Sequence, residues 1–199
     1  MERAPGQSPW GPFLFPSHAM DLGANMSGSI KSLSGLFATS NFMIPFVLGD
    51  LTDDDARKRS RGDSGPSIAW AIGHLMHSRI WVLNLLGIER DNPYEEAFGK
   101  GAATDGADYP PLGELREQWD AIDAEFIGAL SELSEEVLDT VLEEGWHAEQ
   151  TKRDQVVFFA WHEGYHMGMI GAQRKAMGYP GPAERIMAVR AESSESAEG

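Results

Sequence analysis

The sequence predicts an all-α fold, a four-helix bundle with an irregular N-terminal extension and a disordered C-terminal tail. Three observations carry that prediction. Apolar residues recur at steps of three and four through four long stretches, the repeat of a helix with one buried face. No segment alternates apolar and polar residues with the period of a strand. Between the second and third stretches lies a loop, Asp91 to Pro111, long enough to run the length of a bundle. At 199 residues the chain has room for one ordinary domain. The expected boundaries are 1–28 for a flexible extension, 29–186 for the bundle and 187–199 for an acidic tail.

The extension holds Pro5, Pro9, Pro12 and Pro16 together with Gly6, Gly11 and Gly23, which argues against regular structure. Met20 and Met26 within it are alternative starts. The first helix is expected from Ser29 to Asp50, where Ile30, Leu33, Phe37, Ile44 and Leu48 form an apolar stripe. Asn41 is the polar member of that stripe; it faces a polar pocket in the core or, after a small rotation of the helix, solvent. Pro45 removes a backbone donor and should kink the helix near its end. The run LTDDDARKRSRGDSGP, Leu51 to Pro66, reads as a solvated connection, and neither its acidic nor its basic cluster has ligand spacing.

Ser64-Gly65-Pro66-Ser67 opens the second helix, which runs to Leu86 and stops at Gly87. One face of it reads Trp70, His74, His77, Trp81 and Leu85. After the long loop, the third helix spans Leu112 to Leu133 with Leu115, Trp119, Ile122, Phe126 and Leu130 inward. Glu114, Glu117, Asp120, Asp123 and Glu125 fall mostly on the opposite, solvated side. A short helical piece at Ser134–Leu142 and a loop through Gly145-Trp146-His147 lead into the last long helix, Gln155 to Gly178. From Met187 onward the composition, ending AESSESAEG, predicts disorder.

Asp and Glu number 31 against 16 Lys and Arg, a formal net charge of -15, and the pI is near 4.7. That balance argues against nucleic acid and anionic membrane surfaces, both of which demand clustered cations, and leaves a small-molecule substrate or a protein partner. Cysteine is absent, which removes disulfides, thiolate nucleophiles and sulfur-based zinc sites. Any metal must rest on His, Asp, Glu or water. No run of about 18 apolar residues offers a membrane span. The opening residues lack the basic start and continuous apolar segment of a signal peptide, so the expected location is the cytoplasm.

Chemistry concentrates in QVVFFAWHEGYHMGMIGAQRKAMG, Gln155 to Gly178. His162 and His166 stand at i and i+4 and so share one helix face, which continues through Phe158 or Phe159, Met169, Ile170 and Gln173 into a core. Inward imidazoles need hydrogen-bonding partners or a metal. His74 lies on the inward stripe of the second helix, with Trp70 and His77 as neighbouring pocket residues. His77 is a further ligand, a group beside the ligands, or a ring packed between tryptophans. Three neutral imidazoles around a divalent ion leave a coordination position open for water or substrate, as catalytic sites do. Imidazole suits several first-row ions, so Zn, Ni, Fe and Mn all remain open. The alternative is hydrogen-bonded core histidines without a metal.

The stretch SIAWAIGHLMHSRIWVLNLLG resembles the histidine-bearing second helix of the DinB-like (DinB/YfiT) superfamily of four-helix-bundle metalloenzymes. HEGYHMGMIGAQRKAMGYPG resembles that family's terminal H-x-x-x-H-x-G segment with its following Arg and Gly. The likeness extends in helix order and loop position from about Ser29 to Pro182. It implies His74, His162 and His166 as the ligands of a divalent metal, and a homodimer. Family members include thiol S-transferases and isomerases that use small-molecule thiols such as bacillithiol or mycothiol. The expected function is therefore a metal-dependent transferase of the thiol S-transferase type, or a hydrolase, acting on a small molecule, with a low-molecular-weight thiol as a cosubstrate. A non-enzymatic metal-binding or stress-associated bundle is the alternative. Two features depart from the family pattern: the glutamine often found after the family's glycine, here Gly168, is replaced by Met169, and the first 28 residues have no counterpart.

His162-Glu163-Gly164-Tyr165-His166 also matches H-E-x-x-H, the zinc-protease helix whose Glu activates a metal-bound water. The longer metzincin pattern fails, because Met169 and Ala172 stand where it needs Gly and His. A metalloprotease is thus a remote alternative. Glu163 is carried forward as a candidate general base, with a helix-surface carboxylate turned about 100° from His162 as the other reading.

Overall fold

A computed structural model of the chain describes residues 28–99, 103 and 109–197, and from 192 onward only the backbone. Four long helices make the body: α1 (Gly28–Leu48), α3 (Ile68–Leu85), α4 (Leu112–Ser131) and α6 (Lys152–Ala176). The short α2 (Asp53–Arg57) and α5 (Glu135–Leu138) lie in the connections, and α7 (Pro182–Ala197) follows the bundle. Both α1 and α3 pack on α4 and on α6, so the four helices stand in the cyclic order α1, α4, α3, α6 around one core. No strand occurs among the described residues; the β-bridges Arg61–Ser64 and Val141–Thr151 are isolated.

Local chemistry sets the helix starts. Ser67 caps α3, its hydroxyl accepting the Trp70 N–H at 3.1 Å. Thr151 and Asp154 form a reciprocal capping box at the start of α6, which begins earlier than its apolar pattern does. Pro45 does not end α1: the helical bond pattern resumes beyond it, with the Gly49 N–H on the Pro45 carbonyl at 3.1 Å.

The core has two parts. Ile44, Val47, Ile68, Ile72, Leu75, Trp119 and Ile170 form one cluster. Ile30, Phe37, Leu83, Phe126, Leu130 and Val156 form the other. Arg79 of α3 is 1% exposed and touches both, its guanidinium 4.3 Å from the Trp119 ring centroid, 5.3 Å from Phe126 and 5.8 Å from Phe37. It donates to both oxygens of Glu163 on α6, at 2.6 and 3.1 Å, and to Asp123 on α4 at 2.6 Å. Asp123 is therefore buried and paired, not on the solvated face expected for it.

Three other expectations change. The solvated connection after α1 contains α2, capped by Thr52. The long loop contains a π-helical turn, Glu95–Gly99, whose Phe98 is buried. The expected tail from residue 187 is helical through Ala197. Composition argued there from scarce apolar residues, but Pro182 at a first turn, good helix formers and local anchors suffice. Glu184 accepts the Gly181 N–H at 2.6 Å, and Arg185 reaches the Phe46 carbonyl at 2.9 Å and Asp50 at 3.1 Å. The expected extension lies outside the described residues up to 27; Gly28 already belongs to α1.

Candidate metal centre

His74 comes from α3 and His162 and His166 from α6, two neighbouring helices of the bundle. Their rings turn toward one another. His162 Nε2 lies 3.2 Å from His74 Nε2 and 3.0 Å from His166 Nε2. One ring nitrogen from each residue lies within 4.8 Å of the other two. Ligands about 2.0–2.1 Å from one ion, subtending right to tetrahedral angles, stand about 3.0–3.4 Å apart, so the spacing fits a shared cation.

Hydrogen-bond accounting points the same way. The His74 Nδ1–H donates to the Phe98 carbonyl at 2.8 Å, which leaves a lone pair on its Nε2. A proton on His162 Nε2 serves one neighbour at a time, while a cation satisfies three lone pairs together. The Nδ1 atoms of His162 and His166, which a cation at Nε2 would not satisfy, are buried without a partner among the described residues. Burial first, then the neighbouring imidazoles, lowers His162 to about 4 and His166 to about 3. Burial also lowers His74, against the Phe98 carbonyl that favours its charged form. All three are neutral at pH 7, the form that ligates metal.

The long loop holds this geometry. A Cβ on Gly73 would meet the Phe98 ring at 2.4 Å, so only glycine beside His74 lets that ring, and with it the Phe98 carbonyl, come close. Trp70 stacks on His74 with centroids 4.6 Å apart and planes 9° from parallel. His77 stands 6.2 Å from His74 by centroid, outside the ligand cluster. Its Nδ1 accepts from the Asn92 amide at 2.9 Å, which places its proton on Nε2.

Two expected site residues lie elsewhere. Asn41 accepts the Trp119 indole N–H at 2.9 Å, and α1 contributes nothing to the histidine cluster. Glu163 is neither a surface carboxylate nor a group at the histidines; it is 1% exposed, with both oxygens on Arg79. An H-E-x-x-H helix needs its Glu beside the metal, so the protease geometry is missing. Arg79 is a residue that helical periodicity does not assign. Its signal is a lone guanidinium in the apolar run HLMHSRIWV, which needs a buried carboxylate from another helix.

The centre opens on two sides. A cavity of about 200 Å³ is lined by His74, His77, Ser78, Trp81, Phe159 and His162. A cleft of about 420 Å³ reaches His166 from the other side. The larger surface depression of about 770 Å³, around Asn84, Arg90 and Tyr94, touches none of the three histidines.

The model of the DinB superfamily matches residues 43–170, a span that includes all three histidines. The chain belongs to the DinB superfamily, a family of metal-binding helical proteins. No curated protein matches it in sequence. Among the described residues no helix is long and apolar enough to cross a membrane.

Proposed function

We propose that the chain is a metal-dependent enzyme of small-molecule chemistry, a transferase of the thiol S-transferase type or a hydrolase. His74, His162 and His166 would hold one divalent ion, Zn, Ni, Fe or Mn. The observation that carries this reading is the convergence of three neutral imidazole Nε2 atoms at ligand spacing. A bound ion supplies Lewis acidity there, lowering the pKa of a water or thiol. The chain's own residues orient and shield. The Phe98 carbonyl fixes the His74 tautomer, and Trp70 covers one face of that ring. His77 carries a proton on Nε2 beside the smaller cavity, where it can donate to a substrate. A low-molecular-weight thiol as cosubstrate and a homodimer complete the reading by family likeness, and a cytoplasmic location by the opening residues, which lack a signal-peptide pattern.

The test is metal content by mass spectrometry on protein purified without an affinity tag, for the native chain and for His74→Ala, His162→Ala and His166→Ala. The expected outcome is about one transition metal per chain, lost in each variant while helical circular dichroism persists. Full occupancy in any variant refutes the triad. No metal after incubation with the candidate ions favours a non-enzymatic bundle.

A further inference from the structure

The cleft on the His166 side has a composition that the rest of this acidic molecule does not lead one to expect. Arg59, Arg61, Trp70, Tyr165, His166 and Met169 line it, and its volume is about 420 Å³, the scale of a small-molecule site. Arg59 donates from Nε to the Gly65 carbonyl at 2.9 Å and from Nη2 to the Ala103 carbonyl at 2.7 Å. Those two bonds hold the guanidinium in place, and its Nη1 has no partner among the described residues. Arg61 is exposed, and its side chain makes no ion pair or hydrogen bond among the described residues. Neither arginine has a carboxylate within ion-pair distance among those residues, although Asp63 belongs to the same turn.

The turn that presents them is built for the purpose. Arg61 and Ser64 exchange backbone hydrogen bonds at 3.0 and 3.1 Å, and the Ser60 N–H reaches the Pro66 carbonyl at 3.0 Å. Gly65 closes it at φ +80, and a Cβ there would meet the Ser60 hydroxyl at 2.5 Å. Trp70, which also lines the cleft, has a buried indole N–H that is unpartnered among the described residues. Met169 and Tyr165 add apolar surface to the same lining.

We propose that this cleft is the substrate-recognition arm of the histidine centre and that it takes a small organic carboxylate. The carboxylate sits on Arg59 and Arg61, the apolar body lies against Trp70, Tyr165 and Met169, and the reactive end points past His166. Guanidinium groups suit this task because their planar forks match carboxylate oxygens. On a chain of net charge -15, a cationic pair without a carboxylate partner among the described residues also directs anions to this spot. The assignment of a reactive end rests on the metal-centre reading above; the anion site itself does not.

The test uses 3-phenylpropionate and its uncharged amide, matched in shape, titrated calorimetrically into the full chain, both metal-free and zinc-loaded. The carboxylate is expected to bind about tenfold tighter than the amide in both forms, the worth of one charge-assisted contact. Arg61→Gln, which removes no side-chain hydrogen bond or ion pair among the described residues, should weaken carboxylate binding about tenfold and leave the amide unchanged. Arg59→Gln should act alike, and Arg61→Lys should restore part of the loss. Equal binding of acid and amide, indifference to both arginine substitutions, or no carboxylate binding at millimolar concentration overturns the proposal. Carboxylate binding that needs zinc and ignores the arginines also overturns it, by reducing the contact to metal ligation. Stoichiometric metal without carboxylate discrimination fails the cleft alone; discrimination without metal fails the enzymatic reading alone.

Discussion

Glu163 is the residue whose meaning changes most between sequence and structure. Between two metal-ligand candidates it looks like a general base, yet its carboxylate is spent on Arg79. Burial opposes the Arg79 charge, but Glu163 and Asp123 outweigh it and hold the guanidinium above its ordinary range. Burial likewise pushes Asp123 up against the pull of Arg79. Glu163→Gln should therefore cost about 3 kcal/mol of stability, because it leaves a buried cation undercompensated. Denaturant melts should show that loss while the folded fraction keeps its metal; a loss of activity with unchanged stability would restore the general-base role. The histidines carry a second prediction. In metal-free protein the folded values of His162 and His166, about 4 and about 3, lie below the free value of 6.5. The unfolded chain then binds more protons in acid, so the stability these residues permit is full above pH 6.5 and declines as pH falls toward those folded values. Urea midpoints compared at about pH 7 and about pH 5 should fall in the native chain and fall less in His162→Ala.

At the scale of elements, periodicity made the bundle readable. Apolar steps of three and four located α1, α3, α4 and α6 within a few residues, because each of these helices buries a face. His74, His162 and His166 were legible for the same reason, as polar residues on inward stripes. What periodicity misses is chemistry between segments distant in the chain. Nothing local says that Phe98, in a glycine-rich loop, will hand its carbonyl to His74, or that Arg59 and Arg61 will face His166. The basic cluster reads as solvated because its partner surface comes from α6, more than a hundred residues later. Asn41 was ambiguous for a related reason: helical phase gives direction, not the identity of the neighbour that waits there. Gly73 marks one of these long-range contacts. Gly73→Ala should force Phe98 outward, costing about 1–3 kcal/mol by overpacking. With the His74 orienter displaced, metal affinity should drop about tenfold, measured by competition with a chelating dye.

On the whole-molecule scale, charge and mechanical independence matter. With a net charge of -15, the folded chain repels itself. The thermal midpoint should rise as ionic strength increases from about 0.01 to about 0.15 M, where the Debye length shrinks from about 30 to about 8 Å. The same salt should weaken carboxylate binding at Arg59 and Arg61, so the two trends run in opposite directions and can be followed in one titration series. The clamp of Arg79 on Glu163 and Asp123 fixes the rotation of α6 against α3 and α4 without using any of the histidines. Holding the three imidazoles in register is thereby separated from filling the site. A chelator should empty this protein without melting it, and recharging should proceed at the pace at which a hydrated ion sheds its water, with no refolding of the chain.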